Sequence, residues 1–280
     1  MNYNFDTKKD GFQILKNVFN PEEIDKIRIT VEKIFNTDNQ TADDNKNVRW
    51  DFFNLNPDLR YILFNSVIVK SLREILGQDF LVLDDMAILR SGFGRWHKDT
   101  STLEFYQNKF HYNKDYQMIT VIIYLQDNNE YGGGLDVIPK SHLQNYDGLV
   151  TPLNGGKKDF YYYIKRIKPK MISLFLDFCE KFLHKKIDLK KNIKFTIPSV
   201  KGDVILFDMR LEHKASWPTK NRINQPDKLA LTFTVGRNNI YTKEYMNFLK
   251  SRKDFKHLAD HSFRKDFLDE CKKNRINLYY

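Results

Sequence analysis

The chain has 280 residues, 41% of them hydrophobic and 14% aromatic, with 46 basic and 36 acidic side chains. So many aromatic residues can offset ordering entropy by burial, which excludes a disordered chain. No run reaches the roughly 18 apolar residues that span a bilayer, and Cys179 and Cys271 alone cannot build a disulfide scaffold or a cysteine zinc cluster. The first ten residues carry no apolar core of a signal peptide. The expectation is a cytoplasmic protein with no membrane insertion. The net charge of +10 is unevenly placed: residues 157–201 alone carry +9, and residues 1–156 carry −5. A cationic segment of this kind serves phosphate binding, a lid over an anionic ligand, or simply a solvated surface.

In chain order, Asp10–Leu15 reads as a short strand. Asn20-Pro-Glu-Glu then gives an N-cap, a proline at the first helical position and acidic residues at the positive end of the dipole. Ile24, Ile27, Val31, Ile34 and Phe35 follow at helical spacing, which predicts an amphipathic helix over 21–35. Residues 36–47 are polar and predict a loop. A second helix is expected over Ser66–Leu76, stopped by Gly77. From residue 80 the texture changes to strands: Phe80–Leu83, Met86–Arg90, Met118–Gln126, Leu135–Ile138, Asp203–Phe207 and Lys228–Gly236. Turn signals at Asp127–Gly134, Pro139–Ser141 and Lys201–Asp203 separate them. No regular alternation of strand and helix appears, so an antiparallel barrel or jelly roll is favoured over a doubly wound sheet. In the basic segment, Met171, Leu174, Phe175, Phe178 and Phe182 fall on one helical face and read as ordinary core contact. The stretch after Asn239 reads as helical with a basic surface.

The chemistry is concentrated in Arg95-Trp-His-Lys-Asp99. If this segment is extended, His97 and Asp99 point the same way. His213 closes a later apolar strand, Gly202-Asp-Val-Ile-Leu-Phe-Asp-Met-Arg-Leu-Glu-His. Two imidazoles and one carboxylate on one side of an ion form the facial arrangement of non-haem Fe(II) sites, with three positions open. The H-x-D pair is weak evidence alone. His142 reads as a turn residue; His111, His184, His257 and His261 read as surface or packing residues, and Tyr161–Tyr163 as ordinary aromatic burial. Gly92-x-Gly94 lacks the strand–loop–helix setting of a nucleotide fingerprint.

Four motifs in order raise the specificity: the opening DGFQILKNVFNPEEI, the WHKD box, the GGLDVIPKSH turn and the GDVILFD strand ending at His213. With them the sequence resembles the phytanoyl-CoA dioxygenase family of Fe(II)/2-oxoglutarate oxygenases, over about residues 10–140 and 200–240. The resemblance implies a mainly β fold with flanking helices, a double-stranded β-helix (a cupin-like jelly-roll barrel). One domain over 1–280 is expected, with 148–201 as a basic, partly helical insertion and 240–280 as a helical extension. It implies His97, Asp99 and His213 as iron ligands, with 2-oxoglutarate and O2 as cosubstrates. The implied reaction hydroxylates, or otherwise oxidises, a small and possibly anionic molecule, releasing succinate and CO2. The family places an arginine after the distal histidine to hold the far carboxylate of 2-oxoglutarate. Lys228 stands at the head of the corresponding strand, with Arg222 as its rival. Lysine can supply the charge but not the bidentate fork. Lys140 replaces a glycine usual in the family's turn. No substrate-binding residue is assigned, and the oligomeric state is open. A nucleic-acid demethylase on the same barrel is an alternative. The Arg222-Ile-Asn224 echo sits too close to His213 for it, so nucleic acid is not the expected partner. A non-enzymatic jelly-roll binding protein is a second alternative. A halogenase would need a small residue at Asp99.

Overall fold

Strand β4 (Met118–Tyr124) is buried along its whole length, and its alternate residues face two different cores. Ile119, Val121 and Ile123 point to a helical layer, whereas Ile122 and Tyr124 point to a second sheet. This strand lies in the middle of the larger sheet and sets the frame for the site. The structure is a computed structural model that describes residues 5–37, 47–91, 96–128, 134–143, 194–216, 227–252, 255, 258 and 261–280.

The larger sheet runs β1 (Phe12–Leu15), β7 (Val204–Asp208), β4, β9 (Leu229–Gly236), β3 (Leu81–Arg90) and β10 (Asn277–Tyr279), with β2 (Val48–Trp50) also paired to β3. Its pairings are antiparallel except β10 on β3. The smaller sheet is β6 (Phe195–Thr196), β5 (Leu135–Val137) and β8 (His213–Ala215). Ile122, Ile205 and Phe207 of the first sheet meet Leu135, Val137 and Ile197 across the interior. This is the mainly β jelly-roll arrangement expected, with one correction: among the described residues the two sheets are not hydrogen-bonded into a closed barrel.

Helices cover the other face of the large sheet. In α2 (Pro21–Thr37), Asn20 Oδ1 accepts from the Glu23 amide at 2.9 Å and Glu23 Oε2 accepts from the Asn20 amide at 2.8 Å. This reciprocal cap fixes the start of the helix. Its Ile24, Ile27, Val31, Ile34 and Phe35 are buried, as the spacing predicts. Asn65 caps α5 (Ser66–Leu76), and Gly77 ends it with φ +106°. The extension after Asn239 contains α7 (Ile240–Lys250) and α8 (Lys265–Lys273), but also β10, which is too short to show a periodicity in sequence. Arg60 anchors α8: its buried guanidinium donates to the Phe53 and Asn54 carbonyls and pairs with Asp266 and Glu270.

Two sequence expectations change. Phe80–Leu83 and Met86–Arg90 are one strand interrupted by a bulge, not two strands. The last residues of the 148–201 segment, Phe195–Thr196, pair with β5 and so belong to the smaller sheet. The remainder of that segment up to 193 lies outside the described residues.

The Gly-Asp turn before β7 is tightly docked. Gly202 has φ +94°, its carbonyl accepts from the Phe19 amide at 3.1 Å, and a Cβ there would lie 2.2 Å from the Phe19 oxygen. Asp203 fastens the same turn, accepting from Lys16 Nζ at 2.7 Å and the amides of Asn17 and Val200. Gly202→Ala is expected to cost about 1–3 kcal/mol through left-handed strain and collision. A denaturant midpoint that falls for Gly202→Ala, and stays within about 0.5 kcal/mol of wild type for the exposed Lys201→Ala, would bear this out.

Candidate metal centre

His97 and His213 are joined through their backbones. The His97 amide donates to the His213 carbonyl at 2.9 Å, and the His213 amide returns the bond to the His97 carbonyl at 2.9 Å. This antiparallel bridge extends the edge of β8 and leaves the two ring centroids 4.3 Å apart. The chain then turns, with the Ser101 amide donating to the Lys98 carbonyl at 2.9 Å, into α6 (Ser101–Phe105). Asp99 therefore reaches the imidazoles from a turn and not by strand alternation. Its Oδ1 lies 3.7 Å from His97 Nε2 and 3.6 Å from His213 Nε2. Its Oδ2 accepts from Thr120 Oγ1 at 2.7 Å, which holds the carboxylate plane.

The three donor atoms lie within 4.8 Å of one another, so a common point exists within about 2.8 Å of each. Bound ions sit about 2.0–2.2 Å from such donors, a small side-chain adjustment away. His213 Nδ1 donates to the Leu211 carbonyl at 2.9 Å, which turns the Nε2 lone pair toward that point. Burial and the neighbouring His97 hold the His213 pKa down to about 4, against the attraction of Asp99. The ring is thus neutral at neutral pH, the form that binds metal.

The Pro139–His142 turn braces both halves of this arrangement. Lys98, between the two proximal donors, donates from Nζ to the Ser141 carbonyl at 3.0 Å. The amide of Glu212, next to His213, donates to Ser141 Oγ at 2.7 Å. Lys140 takes φ +69°, the left-handed conformation that explains why glycine suits the position. His142 is buried with Nε2 3.0 Å from the Lys8 carbonyl, so it supports the turn and stands apart from the donor cluster. Thr120 and Ser141 were not legible as site residues, because a lone hydroxyl in a strand or turn carries no pattern.

The donors line a cavity of about 560 Å³. Lys228 lines it too, buried, with Nζ 5.2 Å from the centre of the Tyr124 ring. The Tyr124 hydroxyl is buried with no protein partner among the described residues, and burial raises its pKa. A cation and a hydroxyl without a protein partner on one cavity wall suit a carboxylate, so these residues fit the far end of 2-oxoglutarate. The ligand set of two imidazoles and a carboxylate fits Fe(II). Arg222 lies outside the described residues.

The chain matches the family model described as phytanoyl-CoA dioxygenase over residues 7–219. Curated relatives include the ectoine dioxygenases of Bordetella bronchiseptica and Bordetella parapertussis. Each is 27% identical over 150 residues, 49% of this chain and 47% of theirs. The chain thus spans about half the length of the curated relatives it matches. Among solved structures, HygX from Streptomyces hygroscopicus, with nickel and 2-oxoglutarate bound, gives a TM-score of 0.55 at 14% identity, covering 83% of this chain and 85% of HygX. SnoN, a non-heme alpha ketoglutarate dependent epimerase from nogalamycin biosynthesis, gives 0.51 at 13% identity, covering 82% and 79%. These two likenesses show the shared fold.

A second cluster, Asp51, Asp84 and His261, has a different chemistry. His261 Nε2 lies 2.7 Å from Asp51 Oδ2 and Nδ1 lies 2.5 Å from Asp84 Oδ2, so both ring nitrogens are already engaged. His261, expected as a surface or packing residue, instead clamps the C-terminal segment to β3 and to the start of α3 (Phe52–Leu55). Burial alone would lower its pKa, but the two carboxylates outweigh it and raise it to about 9. Because the folded value exceeds the ordinary 6.5, the clamp's contribution is complete below about pH 6.5. It is lost as pH rises through about 9. Thermal midpoints of wild type and His261→Gln should therefore differ most at pH 6 and converge toward pH 10; a gap that stays constant would contradict the clamp.

Proposed function

The chain belongs to the phytanoyl-CoA dioxygenase family, and from that premise we propose that it is an Fe(II)/2-oxoglutarate-dependent dioxygenase that hydroxylates, or otherwise oxidises, a small organic molecule. The observation that carries this reading is one cavity lined by two sets of residues. His97, Asp99 and His213 converge on it, and buried Lys228 and Tyr124, whose hydroxyl has no protein partner among the described residues, line it too.

His97, Asp99 and His213 would hold the iron. When bound, iron and 2-oxoglutarate supply oxygen activation, with succinate and CO2 as the coproducts. Lys228 and Tyr124 orient 2-oxoglutarate by its far carboxylate, a point charge and one hydrogen bond in place of an arginine fork. Thr120 keeps Asp99 in its rotamer, so that one carboxylate oxygen faces the ion. Asp99 itself favours hydroxylation over halogenation, because a carboxylate ligand leaves no position for halide. The apolar walls, which include Ile122, Leu135 and Phe207, keep bulk water from the reacting centre.

The cavity volume is that of a small-molecule site, which supports a metabolite substrate over a nucleic acid. Arg252 lines the cavity, and residues 157–201 carry a net +9, which together support a substrate bearing an acidic group.

His213→Ala is expected to abolish Fe(II) binding and 2-oxoglutarate-dependent O2 consumption, since two donors do not hold the ion. Lys228→Ala should raise the 2-oxoglutarate KM on the order of a hundredfold or more, as expected when one partner of a desolvated charge pair is removed. Tyr124→Phe should raise it about tenfold, the worth of a hydrogen bond to a charged group. Equilibrium iron binding and 2-oxoglutarate titrations of the purified variants test all three. An unchanged KM in Lys228→Ala would move the assignment to Arg222.

A further inference from the structure

Asp85 lines the same cavity, and the chemistry above does not use it. The bulge in β3 puts it there. Val82 pairs with Val235 and Met86 with Phe233, so Leu83, Asp84 and Asp85 together oppose the single residue Thr234. The extra residues send neighbouring carboxylates to different places: Asp84 reaches His261, and Asp85 joins Ala87 and Leu89 on the cavity wall. Bulges of this kind commonly re-aim a side chain beside an active site.

Asp85 is half-buried on the cavity wall. Oδ2 accepts from Thr234 Oγ1 at 2.8 Å and from Tyr245 Oη at 3.3 Å. No lysine, arginine or histidine among the described residues forms an ion pair with it, and Oδ1 receives no hydrogen bond from them. Burial raises its pKa to about 6, helped by Asp99 and Asp84 and opposed by the two hydrogen bonds. Keeping a carboxylate charged and half-buried without an ion-pair partner is costly, and a cationic group on a ligand would offset that cost. A purely structural role, fastening Tyr245 and Thr234, would be met equally by asparagine.

We propose that Asp85 anchors the substrate by pairing with an ammonium or guanidinium group, so that the substrate class is a small amine or guanidine. Arg252 on the same cavity wall favours members that also carry an acid, as amino acids do. The proposal rests on the dioxygenase reading, and it places a fixed negative charge in the cavity that selects among candidates before chemistry begins.

The test uses the full chain, loaded anaerobically with Fe(II) and 2-oxoglutarate, whose chelate has a visible charge-transfer band. L-lysine, agmatine and γ-aminobutyrate are titrated against their N-acetylated counterparts. Binding is read from the perturbation of the band and independently from the thermal midpoint. The expected result is millimolar or tighter binding of at least one amine, at least tenfold weaker binding of its acetylated form, and at least tenfold weaker amine binding in Asp85→Asn. Should Asp85→Asn fail to fold by circular dichroism, the comparison of amine with acetylated amine on wild type decides alone. The proposal is overturned if no amine binds at millimolar concentration, if acetylation makes no difference, or if folded Asp85→Asn binds the amine as wild type does. Absence of the band before any probe is added would instead count against the dioxygenase reading, while the thermal midpoint still scores Asp85.

Discussion

Two reciprocal backbone hydrogen bonds between His97 and His213 hold the site together. Side-chain donors alone would have to be positioned by packing, one rotamer at a time. Here the backbone spacing of an antiparallel pair sets the separation of the imidazoles before any side chain is chosen. Everything else near the centre adjusts the third donor to that pair: the turn at Lys98–Thr100 delivers Asp99, and Thr120 on β4 locks it. Ser141 then ties the neighbours of both histidines to one turn, so that the two halves cannot drift apart independently.

The electrostatics follow from where the sheets place their inward residues. Strand β4 contributes Thr120 and Tyr124 to one cavity from one face, while its opposite face is fully committed to the helical layer. The cavity wall consequently alternates in chemistry along a single strand. Lys228 sits at the head of β9 with its main chain held by the Ser91 amide, which fixes the depth of its ammonium group. Asp85 and Lys228 are opposite charges within one enclosed space, separated in function by the strands that carry them.

Much of this was legible in the residues, and the missing part has physical causes. Helices 21–35 and 66–76 were readable because their buried positions recur every three to four residues and their caps are ordinary Asn and Gly signals. The central strands were readable as apolar runs, but the β3 bulge was not: two aspartates in an apolar strand look like a break until their partners, His261 and Thr234, are known. The three converging side chains could be named as candidates because His-x-Asp and a strand-closing histidine follow ordered family motifs. The reason they converge was misjudged, since a bridge and a turn do the work expected of strand alternation. His261 looked idle because its two partners are remote in sequence, and β10 was missed because three residues carry no period.

The backbone bridge also bears on how such a chain can change over time. It pins the base of the long stretch of chain between the two histidines. For a flexible loop with fixed ends, doubling the length adds only about 0.6 kcal/mol of closure entropy. That stretch also carries β4, β5, β6 and β7, so it is the connections between those strands that can lengthen or shorten with little effect on the geometry at its base. In sequence, the lysine-rich residues 157–191 fall between β5 and β6. On this view the bridge is a tether that lets a connection between strands change length while the two histidines keep their register.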